Sequence, residues 1–69
     1  MNENNAYVDV IKGVMVEKGL SQQKLADLLG VNQTTVSQWL REKKKPGFDN
    51  ILRFYAVFGI KPNEFFGID

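Results

Sequence analysis

A chain of 69 residues has room for one domain, and at this size folding hides only about 60% of the unfolded chain's surface, leaving a net stability of roughly 3–10 kcal/mol. With 43% hydrophobic and 25% charged residues it reads as an ordinary folding sequence, while the lack of cysteine and histidine removes disulfide staples, thiolate chemistry and the commonest zinc ligands. The net charge of +1 does not single out a nucleic-acid partner, no apolar run nears the roughly 20 residues of a membrane span, and MNENNAY lacks signal-peptide order, so the expectation is a cytoplasmic protein with no membrane partner and no cofactor.

Taken in chain order, the pattern predicts five helices and no strand: Ala6 to Lys18, Gln22 to Leu29, Gln33 to Arg41, Phe48 to Phe58, and a short one near Pro62 to Phe66. The fold class is all-α, a single domain over residues 1–69. Gly19-Leu20-Ser21, Gly30-Val31-Asn32 and Gly59-Ile60-Lys61-Pro62 repeat one grammar. Each reads as a left-handed glycine ending a helix, an apolar residue folding back, and a new start, with Ser21 and Asn32 as N-caps and Pro62 at a first helical position. Lys45-Pro46-Gly47 separates the third and fourth helices, because the residue before proline is pushed out of the helical region. In the first helix Tyr7, Val10, Ile11, Val14 and Met15 share one arc, and Gly13 interrupts its middle, where close packing is the expectation.

The third helix divides most cleanly. Advancing about 100° per residue, Gln33, Ser37, Arg41, Thr34 and Gln38 fall on one arc of about 140°, with Thr35, Trp39, Val36 and Leu40 opposite. The polar arc suits a solvated face, as amphipathic helices generally have. It also suits base reading, since a glutamine amide matches the N6 and N7 edge of adenine and arginine matches guanine. Between Asn32 and Lys45, four cations (Arg41, Lys43, Lys44 and Lys45) stand against the single acid Glu42. Lys43, Lys44 and Lys45 are either a solubilising loop or, directly behind a reading helix, clamps for DNA phosphates.

The preceding helix decides between these readings. Ala26 is followed four residues on by Gly30 and six later by Val36, with Leu25, Leu29, Val31 and Trp39 at the apolar positions between. A small residue admits close approach, a glycine makes the tight turn, and a β-branched residue locks the second helix on the first. This is helix-turn-helix spacing.

At these residues the chain resembles the Cro and phage-repressor (XRE-type) helix-turn-helix family, from about Tyr7 to Phe66, including GLSQQKLADLLGVNQTTVSQWL, the KKKP loop and the closing FGIKPNEFF. The resemblance implies a compact repressor-like domain whose third helix enters the major groove of double-stranded DNA. It implies base reading by Gln33, Thr34 and Gln38, with Ser37 and Arg41 at the margins, and a phosphate grip by Gln22; Ser37 is counted with the base readers, and Asn32, Arg41, Lys43, Lys44 and Lys45 are expected to make further backbone contacts. A bacterial or phage-encoded, nucleoid-associated regulator is the corresponding expectation.

Two positions depart from the family's pattern. Met15 and Leu40 stand where the family usually pairs an arginine with a glutamate; exchanging both for apolar residues leaves neither charge buried alone, and predicts a contact between the two. Glu42 takes the place of the family's glycine after the recognition helix, and is expected to extend that helix by a turn rather than adopt a left-handed conformation.

In the fourth helix Phe48, Ile51, Leu52, Tyr55 and Phe58 are expected to face the core, closed over by Ile60 and Phe65. Phe54, Val57, Phe66 and Ile68 are left as edge packing or as a homodimer surface. The function expected is a sequence-specific transcriptional regulator, a repressor-like dimer on a palindromic operator. The alternative is a protein-interaction module, such as an antitoxin-like chain holding a further protein partner. No histidine base, cysteine nucleophile, metal cluster or phosphate-cradling glycine loop points to catalysis.

Overall fold

The structure, a computed structural model, describes residues 6–66. Helices α1 (Ala6–Lys18), α2 (Gln22–Leu29), α3 (Gln33–Leu40) and α4 (Phe48–Phe58) precede a 3-10 turn over Pro62–Phe66, and no strand occurs among the described residues. The described residues thus form four α-helices, not five. Glu64 N–H donates to the Lys61 carbonyl at 3.0 Å, an i to i+3 closure, and five residues offer too few propagating bonds to offset the nucleation of an α-helix. Among the described residues no helix is long and apolar enough to cross a membrane.

The glycine punctuation is as the sequence predicts, with φ of 65° at Gly19, 76° at Gly30 and 74° at Gly59. Ser21 caps α2, its Oγ accepting from Lys24 N–H at 3.1 Å. Asn32 corrects the second cap: its backbone is extended ahead of α3, but its side chain makes no capping bond. Its carbonyl instead accepts from Thr35 N–H at 3.0 Å, and the side chain is exposed. Gly13 also departs from expectation. A Cβ there would meet nothing within 4 Å, so no neighbour requires a glycine.

The core joins Tyr7, Val8, Ile11 and Val14 of α1 to Leu25, Ala26 and Leu29 of α2, Val36 and Trp39 of α3, Ile51 and Phe54 of α4, and Phe65. α2 packs on α3, and the 3-10 turn packs on α1 and α4. Met15 and Leu40 both half-bury against this cluster, from two helices that touch.

α4 is turned relative to the sequence expectation. Ile51 and Phe54 are buried and Phe58 half-buried, whereas Phe48, Leu52 and Tyr55 are 63%, 42% and 53% exposed. Phe54 is the aromatic hub, its ring centroid 5.9 Å from Trp39, 6.0 Å from Phe58 and 5.0 Å from Phe65, all tilted. It therefore cannot serve as a dimer surface. Both 48/52/55 and 51/54/58 are valid helical stripes lying about a quarter turn apart, and the partners Trp39 and Phe65, distant in sequence, select the second. Val57 and Phe66 are exposed; Ile68 lies outside the described residues.

Candidate nucleic-acid interface

The site is built from the end of α2 outward. Gly30, at φ 76°, receives the chain in a left-handed conformation that a side chain would strain. Its N–H donates to the Asp27 carbonyl at 3.3 Å, and Val31 N–H returns to the Ala26 carbonyl at 3.0 Å. These bonds satisfy carbonyls that the helix leaves unpaired. Val31 half-buries, and α3 begins at Gln33 with Val36 and Trp39 wholly or almost wholly buried beneath it.

That anchoring turns the polar arc outward. Gln33 and Thr34 are exposed and Ser37 is half-buried; together with Gln22 of α2 and Arg41 at the far end of α3 they line one open groove. Five predicted site residues are thereby brought together. Gln38 is half-buried and outside that lining, and Asn32 is exposed at the N-terminal edge. Amides, hydroxyls and a guanidinium along this face offer hydrogen-bond donors and acceptors of the kinds that pair with base edges.

Beyond α3 the expected extra helical turn is absent. Arg41 closes the helix at φ −92°, ψ 4°, and Glu42 takes φ 60°, the one positive φ outside glycine among the described residues. Glu42 N–H donates to the Trp39 carbonyl at 3.1 Å and Lys43 N–H to the Gln38 carbonyl at 2.8 Å. This is the two-bond closure that ordinarily employs glycine, here with a glutamate in its left-handed position. The closing bonds override the local preference, so the loop keeps the tight path that a glycine would give.

The basic loop follows at once. Lys44 N–H also reaches the Gln38 carbonyl, at 3.3 Å, which ties the loop's backbone to the last turn of α3. Lys43, Lys44 and Lys45 are all exposed. Lys45 also lines a cavity of about 160 Å³ with Tyr7, Pro46, Ile51, Phe65 and Phe66. The Tyr7 hydroxyl is held above its ordinary pKa, first by burial and then by the negative charge of Glu42, so it stays neutral through the physiological range.

Sequence reading missed Arg53. From α4 its guanidinium Nη1 donates to the Leu29 carbonyl at 2.9 Å and to the Gly30 carbonyl at 3.4 Å. The two partners are 24 residues apart, beyond any local pattern. One signal was available: α2 has no basic residue in its last turn, leaving its negative end to be met from elsewhere.

Residues 11–65 match the family model described as helix-turn-helix, which covers all of the core except Tyr7 and Val8, together with the tight turn and α3. The chain belongs to the XRE/Cro-type helix-turn-helix family. As an XRE-type protein it is a DNA-binding regulator, and this is a regulatory rather than a typically enzymatic family. No curated protein and no solved structure gave a significant match. The XRE-type match spans α2, α3 and the basic loop without interruption.

Proposed function

We propose that the chain is a repressor-like regulator that reads a palindromic operator as a homodimer. The observation that carries this reading is the groove in which Gln22, Gln33, Thr34, Ser37 and Arg41 meet on the outward face of α3. Gln33, Thr34, Ser37 and Gln38 read base edges in the major groove; Gln22, Asn32, Arg41, Lys43, Lys44 and Lys45 hold the phosphates on either side. The exposed Asn32 amide, with no capping bond, is available for that role.

Pairing follows from size, because one small module covers too little DNA for tight specific binding. A two-fold arrangement sets two reading helices about 34 Å apart, one turn of the duplex. Phe48, Leu52 and Tyr55, with Val57 and Phe66, supply exposed apolar surface in place of the buried Phe54. The same exposed side chains favour the second reading, an antitoxin-like interaction with another protein, in which DNA binding is secondary.

Selection of bound duplexes from randomised DNA tests the proposal. It should return two inverted half-sites one turn apart, bound by two chains. Sedimentation that stays monomeric at high concentration, with and without the selected duplex, would remove the dimer and leave the second reading.

A further inference from the structure

We propose that Arg53 is a positioning residue for DNA recognition: a latch from α4 that fixes the turn from which α3 projects. The Ala26 and Asp27 carbonyls at the end of α2 are satisfied by the glycine turn itself. Further along the same end, the carbonyls of Leu29 and Gly30 take the Arg53 Nη1 at 2.9 Å and 3.4 Å. A cation here meets both the hydrogen-bonding need and the negative end of the α2 dipole. The bonds land on the last residue of α2 and on its left-handed glycine, three residues before α3 begins.

The latch is also sterically tight. A Cβ on Gly30 would lie 3.2 Å from the same Nη1, so a substitution there would strain the backbone and press on the guanidinium at once. Arg53 directly precedes the fully buried Phe54 on α4, so its backbone belongs to a helix anchored in the core. Its head is thus carried by a helix outside the helix-turn-helix, and the direction of α3 is referred to the body of the domain through this contact. A loosened turn would still leave the lysines free to attract phosphate, but would blur the register in which Gln33 and Thr34 meet the bases.

The proposal rests on the DNA-reading role of α3, so its test includes an arm that needs no DNA. The full chain is compared with Arg53→Met and Arg53→Lys by amide hydrogen exchange, and by binding to a duplex selected against the unaltered chain and to random duplex at several salt concentrations. In Arg53→Met, exchange at the Gly30 and Val31 amides should rise while α1 is unaffected. Affinity for the selected duplex should fall about tenfold, as expected for a lost charge-assisted bond, with random-duplex affinity and salt slope unchanged. Arg53→Lys should recover part of both effects.

Unchanged exchange at the turn would overturn the proposal, as would a uniform rise across all helices, which would make Arg53 a general stabiliser. A reduced salt slope with equal losses on both duplexes would make it a phosphate contact instead. Should the unaltered chain bind no duplex, the reading of α3 falls; faster exchange confined to the turn would still establish the latch.

Discussion

The two halves of the molecule carry their information differently. In α3 polar and apolar residues separate cleanly around the helix, so Val36 and Trp39 had one possible inward face and Gln33, Thr34 and Arg41 one possible outward face. In α4, FDNILRFYAVF carries an apolar arc spanning more than half of the helix, and two stripes within it compete. A helix that must display chemistry advertises its orientation; one that serves as a wall is oriented by the partners it meets. Here those partners are Trp39 and Phe65, which settle on Phe54.

The largest expected effect tests that contrast within α4. Phe54→Ala should cost about 3–5 kcal/mol, the range for an aromatic truncated in a core, enough to unfold much of a domain this small. Leu52→Ala, on the 42% exposed row, should cost less than about 1 kcal/mol and should weaken self-association instead. Thermal unfolding by circular dichroism reads the first, and sedimentation the second. Comparable losses of stability would place both side chains in the core.

The pair Met15 and Leu40 tests the joint between α1 and α3. Leu40→Glu alone should destabilise by roughly 1–3 kcal/mol as a carboxylate is drawn toward the core, and adding Met15→Arg should recover at least half of the loss. Simple additivity in the double-mutant cycle would show that the two side chains do not interact.

Smaller effects come from the backbone. Glu42→Gly removes a left-handed side chain at φ 60° and should stabilise by about 1 kcal/mol. It also removes a negative charge beside the lysines, so affinity for any duplex should rise. Gly13→Ala, in open space, should add about 0.5–1 kcal/mol. A loss in either variant would reveal a neighbour that the fold does not show.

Tyr7 gives the pH dependence. Its folded-state pKa is raised above 10.0, so the unfolded chain releases this proton first as pH rises. The stabilisation is complete below pH 10.0 and is lost as pH climbs through the folded value. Tyr7→Phe should flatten the alkaline fall in stability. An unchanged alkaline limb would show that another group governs it.

Much of this was legible in the chain. Gly19, Gly30 and Gly59 marked the helix ends because a left-handed residue following an apolar stripe has few other uses. Ala26, Gly30 and Val36 gave the turn. Arg53 and Phe54 were not legible, because each is decided by a contact formed only on folding, one with carbonyls 23 and 24 residues away and the other with a ring on α3. Glu42 failed for a different reason: local preference argued for more helix, and the carbonyls of Gln38 and Trp39 outweighed it. The Asn32 side chain likewise yielded its capping role to its own backbone.

The central claim is that the outward face of α3 reads bases, and the most direct measurement compares Gln33→Ala with the unaltered chain on a selected duplex and on random DNA at one salt concentration. Gln33→Ala should lose roughly 1–3 kcal/mol on the selected duplex and almost nothing on random DNA. Equal losses on both, or none on either, would contradict it.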